Sequence, residues 1–394
     1  MGCRLWNADS LLVSSYLFPL PTFGLGRDSG RDWIQIPRSS PSGTYIHDDH
    51  GAAITGWNLC IGTTDRPQGP DGGLSEFIRR HCYRISDLKP DSEVLDSDGE
   101  LLRAILKYQH SSALIFSPHF EFTEGLGYES VIKFVRASAK RIIIGVRSIE
   151  KGEEAKRAIL AQIPQSNVTI DVYHLDMLDY TTIEAFASRV NQEVERLDYV
   201  VLNAGISPHA YKKSAYGFES GIQVNLVSTT LLSLLLLPKL LASKTDTFTP
   251  VLELVGSGTH QRMPQLLPET DNTEKDISEV YNSETSFRTF GFIQQYSLTK
   301  LFLMYVQWQL VKLVDDKVSG SPRVYVIVVG PGPTQSGLGR DFQEQSSLGV
   351  RVAVHTMNLL TKTAEQGART YLSGLMLGEK GHGQFWQWDS VNRC

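Results

Sequence analysis

The sequence predicts an α/β fold: a doubly wound parallel sheet with helices on both faces. Three observations carry that prediction. From about residue 111, short apolar β-branched runs alternate with amphipathic helical runs. The strand-like runs are continuously apolar, as strands covered on both faces require. Gly, Ser, Asn and Asp recur just after them, where such sheets bind ligands.

In chain order, residues 112–117 read as a short first strand. Gly125-Leu126-Gly127 opens a helix to about residue 139. The run RIIIGV, 141–146, is the second strand and 150–163 the next helix. A third strand at 168–175 is closed by Asp176, followed by Met177, and a helix covers 180–197. The fourth strand, 197–202, ends in Asn203-Ala204-Gly205. A long apolar helix covers 217–241. The fifth strand, 251–255, runs into Gly256-Ser257. A helix from 296 to 314 and a sixth strand at 324–329, ending in Gly330-Pro331-Gly332-Pro333, complete the set.

Residues 1–110 are different. Gly, Pro, Ser and Asp recur through 19–73 without a sustained period, and only 74–81 and 100–108 read as short helices. The division is therefore an irregular N-terminal extension, 1–110, ahead of a domain at 111–394. His47-Asp48-Asp49-His50 reads as a solvated stretch of a Gly/Ser-rich loop rather than a metal site, and no metal is expected.

Bulk properties exclude several classes. The chain has 394 residues, 41% hydrophobic and 21% charged, as globular proteins do. A net charge of -5 leaves no basic footprint for nucleic acid. Cys3, Cys60, Cys82 and Cys394 form no CxxC pair, so neither a disulfide scaffold nor structural zinc is expected. The run TTLLSLLLLPKLLA, 229–242, is short for a membrane span and is broken by Pro238 and Lys239; it reads as a buried or dimer-face helix. Asp9 and the prolines after residue 18 argue against a signal peptide, and Trp6 against myristoylation. A cytoplasmic protein is the expectation.

The candidate chemistry centres on Tyr296-x-x-x-Lys300. That spacing places both side chains on one helical face, a turn apart. An ammonium beside a phenol favours phenolate, which predicts a Tyr296 pKa below its usual ~10 and suits general acid/base work. On its own the pair is better read as a surface lysine beside a half-buried tyrosine. Asn203-Ala204-Gly205 alone is also an ordinary strand-to-loop turn, and Ser257 sits in a Gly-Ser-Gly turn where serine is common.

Taken in order, Asn203-Ala204-Gly205, Asn225 within a helix, Ser257, Tyr296-x-x-x-Lys300 and the Pro331-Gly332 turn resemble the short-chain dehydrogenase/reductase family over residues 111–394. Runs such as 145–155, GVRSIEKGEEA, and 363–369, TAEQGAR, resemble the NADP-dependent branch of fungal secondary metabolism. The resemblance implies a Rossmann-like fold and an oxidoreductase interconverting ketone or aldehyde and alcohol. In it Tyr296 exchanges the proton, Lys300 tunes it and holds the nicotinamide ribose, Ser257 binds the substrate oxygen, and Asn225 kinks its helix and holds a relay water. Cofactor contacts fall on Gly125, Leu126, Gly127, Arg147, Asp176, Met177, Asn203, Ala204, Gly205, Gly332, Thr334 and Ser336, besides Tyr296 and Lys300. Arg147, with no carboxylate closing the second strand, suits a 2′-phosphate and hence NADP (NADPH). The resemblance further implies a small-molecule carbonyl or alcohol substrate and a homo-oligomer.

Three departures stand out. The family's Thr-Gly falls on Phe120-Glu121, where bulk and charge oppose a tight phosphate turn. This suggests either a first strand that is not the native one, residues 1–122 arising from a mistaken exon boundary, or a real loss of cofactor affinity. In the latter case the chain is a non-catalytic Rossmann-like binding protein. The Ser257–Tyr296 interval is long, its extra stretch 261–292 reading as a polar excursion whose Phe287, Phe290 and Phe292 line a pocket or anchor the loop. Gly256 stands where a second serine is usual.

Overall fold

The computed structural model describes the backbone of residues 24–28, 31–36, 44–48, 112–116 and 264–265, and residues 125–263, 280–316, 320–335 and 361–387 in full. The chain divides into two compact units: Met1–Phe77 with Leu267–Phe287, and Ile78–Leu266 with Arg288–Cys394. The first contains an antiparallel sheet, β1 (Gly24–Asp28), β2 (Arg31–Ile36) and β3 (Thr44–Asp48), in the order β1-β2-β3. These strands are additions to the sequence reading. Their mix of Gly, Arg, Asp and apolar residues gives no clean alternation to detect. His47 and Asp48 lie in β3, not in a loop.

The second unit is the parallel sheet. Its strands are β4 (Ser112–Phe116), β5 (Arg141–Val146), β6 (Thr169–His174), β7 (Tyr199–Leu202), β8 (Val251–Val255), β9 (Tyr325–Gly330) and β10 (Phe385–Gln387). Their order is β10-β9-β8-β7-β4-β5-β6, every pair parallel. Progression reverses between β4 and β7, which are neighbours although two strands separate them in sequence. That is the switch point of a doubly wound sheet, where a crevice opens beyond the strand ends. Five strands fall within the sequence-read runs, β9 extends one residue past its run to Gly330, and β10, only three residues long, is the seventh.

Five helices follow the predicted alternation: α1 (Leu126–Arg136), α2 (Ile149–Gln162), α3 (Tyr180–Glu193), α4 (Ser220–Ala242) and α5 (Glu284–Val314); α6 (Ala364–Met376) is an addition to the sequence reading. Local chemistry sets their starts. The Ser148 hydroxyl accepts from the Lys151 amide at 3.3 Å, and the Asp179 carboxylate from the Thr181 amide at 2.9 Å. Thr363 and Gln366 form a reciprocal capping box on α6. Helix α5 has a break: Gly291 adopts φ 75°, which glycine alone accepts without strain, so the segment bearing Tyr296 starts just beyond it.

Helix α1 packs against α2 and α6, while α3 packs against α4. Right-handed crossovers put α1 and α2 on one face of the sheet and α3 and α4 on the other. By the same rule α6, which links β9 to β10, belongs with α3 and α4. It packs on α1 instead, so β9-α6-β10 is a left-handed crossover. This brings α6 against the switch-point side of the sheet.

The core lies between the sheet and these layers. Val131, Ile142, Ile144, Val201 and Val329 are at most 3% exposed. Helix α4 is apolar on all sides and long enough to cross a membrane, yet 78% of its most apolar window is buried inside the fold.

Candidate active site

Ser257, Tyr296 and Lys300 meet at the carboxyl edge of the sheet. Ser257 follows β8 in a tight turn. Its carbonyl oxygen lies 2.6 Å from His260 Nδ1, which must carry the proton to donate there. His260 is fully buried, edge-on to Phe385 at 4.7 Å, and burial holds its pKa below the usual value. A neutral imidazole thus locks the turn that presents Ser257. The Ser257 hydroxyl accepts from the Thr259 hydroxyl at 3.1 Å and shares a hydrogen bond with the Tyr296 phenol.

Gly256 has a packing reason. A Cβ built there would come 2.5 Å from Val328 Cγ1 and 3.3 Å from Phe385 Cε2. The β8 exit is pressed against β9 and β10, and a second serine does not fit without movement.

Lys300 is 2% exposed. Its Nζ donates to the Val255 carbonyl at 2.7 Å and lies 5.6 Å from the Tyr296 ring centre. Burial pulls the Lys300 pKa down to about 8. The same desolvation pushes Tyr296 up to about 12, against the lowering effect of its bond to Ser257. The sequence-based expectation of a depressed tyrosine is therefore corrected. Desolvation of the phenolate outweighs the bond to Ser257, and Tyr296 holds its proton at neutral pH.

Asn225 is fully buried in a π-helical segment, Gln223–Ser228, inside α4. One extra residue per turn widens the helix there. Asn225 Nδ2 donates to the Ile206 carbonyl at 2.8 Å and the Thr299 hydroxyl at 3.0 Å, while its Oδ1 accepts from the Ile206 amide at 2.7 Å. The Thr299 hydroxyl donates in turn to the Tyr296 carbonyl at 2.7 Å. One amide so ties the β7 exit to the helix carrying Tyr296 and Lys300. At Gly205, a Cβ would sit 3.4 Å from Lys300 Nζ and 3.7 Å from Asn225 Oδ1, so all three converge.

The remaining sequence-predicted contacts ring the same edge. Gly125, at φ 99°, precedes α1, with nothing within 4 Å of where a Cβ would be. Leu126 and Gly127 form the first turn of α1. Arg147 is half-buried immediately beyond β5. Asp176 Oδ1 caps the Leu178 amide at 2.9 Å, and Met177 is buried with its carbonyl accepting from Ser228 at 2.5 Å. Asn203 and Ala204 follow β7. Gly332 has φ 77°, and Thr334 donates to its carbonyl at 3.1 Å. Ser336, the Phe120-Glu121 turn and residues 266–279 of the long interval lie outside the described residues. Phe287 is buried, while Phe290 and Phe292 are half-buried.

Sequence reasoning missed three contributors. Glu219, fully buried, accepts from the Gly221 and Ile222 amides at 2.8 and 2.9 Å and from the Gln295 side chain beside Tyr296. His260 locks the Ser257 turn. Tyr371 of α6 donates to Asn203 Oδ1 at 2.5 Å. No spacing rule connects Tyr371 to Asn203 or Gln295 to Glu219, which are distant in sequence; only the capping-box start of α6 is legible.

Among the described residues no cluster of metal-ligating side chains is present. The donors suit a dinucleotide: an open glycine turn before α1, a guanidinium beyond β5 and an ammonium and phenol facing the crevice. A family model described as short chain dehydrogenase matches residues 122–247. A short-chain dehydrogenase/reductase of Aspergillus flavipes, ffsI, is 38% identical over 68% of this chain and 75% of its own length. Another, phmF of Phaeosphaeria nodorum, is 35% identical over the same shares. Among solved structures, salutaridine reductase from Papaver somniferum superposes with a TM-score of 0.51 at 18% identity, covering 70% of this chain and 99% of that one.

Proposed function

Since the chain belongs to the short-chain dehydrogenase/reductase family, an oxidoreductase family, we propose that it is an NADPH-dependent reductase of a small ketone or aldehyde, working in fungal secondary metabolism. The observation that carries this reading is the joined set Ser257, Tyr296 and Lys300 at the carboxyl edge of the parallel sheet. The relatives' class supports the metabolic setting. Arg147 beyond β5, where no carboxylate closes the strand, supports NADPH over NADH.

The residues divide the work. Bound NADPH supplies the hydride. The Ser257 hydroxyl and Tyr296 phenol bind the substrate oxygen as donors, which aligns the carbonyl and stabilises the charge that develops on it. Tyr296, protonated at neutral pH, gives its proton to that oxygen. Lys300, positive below about pH 8, stabilises the phenolate left behind. Asn225 holds the β7 exit and the Tyr296 helix in register through Ile206 and Thr299. His260 keeps Ser257 in place.

The test is a fluorescence titration of the purified full-length chain with NADPH, followed by oxidation of NADPH in the presence of a panel of ketones and aldehydes. NADPH binding with carbonyl-dependent turnover is expected. No binding, repeated on a chain whose residues 1–122 are replaced by a regular first strand and Thr-Gly turn, removes the reading and leaves the non-catalytic one.

A further inference from the structure

Tyr371 sits on α6, which the left-handed crossover delivers to the switch-point side of the sheet. The side chain is fully buried. Its hydroxyl donates to Asn203 Oδ1 at 2.5 Å. Asn203 directly follows β7, whose Leu202 pairs with Phe116 of β4, so it stands at the point where strand order reverses.

The direction of this hydrogen bond is fixed by chemistry. Burial, with the negative charge of Glu253 and the nearby Tyr296 adding to it, pushes the Tyr371 phenol well above its usual value. The phenol therefore keeps its proton and must donate. A donor demands an acceptor, so the Asn203 amide has to present its oxygen to Tyr371 and its NH2 group away from it. Among the described residues Asn203 makes no other side-chain hydrogen bond, and it is only half-buried. The NH2 group is thus left to the crevice beyond β4 and β7. Without Tyr371, an asparagine at a strand end could turn its amide over and offer either group.

We propose that Tyr371 is a positioning residue that locks the Asn203 amide with its NH2 group toward the crevice, as a fixed donor to an oxygen of the bound dinucleotide. The choice of cofactor rests on the function proposed above; the lock itself does not. The ligand atom is an acceptor-only oxygen, of a phosphate or of the ribose ring, which an amide NH2 recognises and an amide carbonyl does not.

The experiment is a double-mutant cycle on NADPH affinity, read by fluorescence with the full-length chain. Tyr371→Phe removes one oxygen and keeps the ring. It is expected to weaken NADPH binding about fivefold, the equivalent of one net neutral hydrogen bond. Asn203→Ala weakens binding too, and in that background Tyr371→Phe is expected to have no further effect. A purely structural role predicts equal losses in both backgrounds, and that result overturns the proposal, as does unchanged affinity in folded Tyr371→Phe. The lock is also read without ligand. In protein labelled with 15N-asparagine, the Asn203 side-chain NH2 signals, identified by their loss in Asn203→Ala, are expected to shift and exchange-broaden in Tyr371→Phe. If the wild-type chain binds no NADPH the proposed function fails, yet this spectrum still decides the lock: unmoved signals overturn it.

Discussion

The Lys300 ammonium nitrogen lies 5.6 Å from the centre of the Tyr296 ring and gives its hydrogen bond to the Val255 carbonyl rather than to the phenol. The ammonium thus stands beside the aromatic ring without a hydrogen bond to its oxygen. Burial makes both expensive to ionise, and it moves their titrations in opposite directions, to about 8 for the lysine and about 12 for the tyrosine.

A pH dependence follows. In the proposed mechanism, reduction needs a protonated phenol and a charged lysine. Tyr296 keeps its proton across the usual assay range, because its folded pKa is raised. Lys300, whose folded pKa is lowered, is charged only below about pH 8. The carbonyl-reduction rate at saturating NADPH is expected to be level up to about pH 8 and to fall above it. A pH–rate profile checks this; a rate still level at about pH 10 would remove Lys300 from the proton-transfer step.

Tyr296→Phe keeps the ring that packs near Lys300 and removes the proton source. Turnover is expected to fall by about 10²–10⁴-fold, the range for loss of a general acid. NADPH affinity should stay within about twofold. Steady-state rates and a fluorescence titration on the same preparation separate the two, and retained turnover contradicts the role given to the phenol.

Gly256→Ser tests the packing account of the β8 exit. Since the new Cβ would meet Val328 Cγ1 at 2.5 Å, the Val328 side chain or one of the two strands must shift. Overpacking of this kind costs about 1–3 kcal/mol. Urea denaturation should show a lower midpoint with an unchanged slope. A stability equal to the parent would mean that β8 and β9 part more easily than their geometry implies.

These positions also mark how far the sequence could be read. Strands β5 and β8 match their predicted limits because RIIIGV and VLELV are buried on both faces and carry a continuous apolar signal. Tyr296, Lys300, Ser257 and Asn225 were legible because order along an alternating α/β pattern constrains which strand ends they occupy. The direction of the tyrosine's titration was not, since desolvation depends on how completely the helix is covered, which spacing does not reveal. Strand β10 is too short to carry a period, and β1 to β3 mix glycine and charge with apolar residues. The bonds from Tyr371 to Asn203 and from Gln295 to Glu219 join residues far apart in the chain, a relation that only the folded topology creates.

Glu219 offers a test of how the head of α4 supports the site. Its carboxylate receives two backbone amides at the helix start and the Gln295 side chain next to Tyr296. Glu219→Ala removes the cap, at a cost of about 1–2 kcal/mol in stability. It also frees the residue preceding Tyr296, so the reduction rate should fall more than NADPH affinity does. Denaturation and steady-state kinetics on the variant check both parts. Loss of stability with an unaltered rate would confine Glu219 to capping.

The proposed preference for NADPH rests on Arg147. It leaves the sheet directly after Val146, whose partner in β6 is His174, so it stands at the carboxyl edge where an adenosine ribose is expected. A guanidinium there forms charge-assisted hydrogen bonds to a 2′-phosphate but gains little from a 2′-hydroxyl. Each such bond is worth about 1.5–3 kcal/mol. Arg147→Ala is therefore expected to raise the Kd for NADPH by about 10- to 100-fold and to leave that for NADH within about twofold, so the preference between them collapses. Parallel titrations with the two dinucleotides at several salt concentrations give the answer. The parent's NADPH affinity should weaken with salt more steeply than the variant's, because the lost contact is ionic. Equal weakening toward both cofactors would instead place Arg147 in the support of β5 and α2, with discrimination residing elsewhere on that edge.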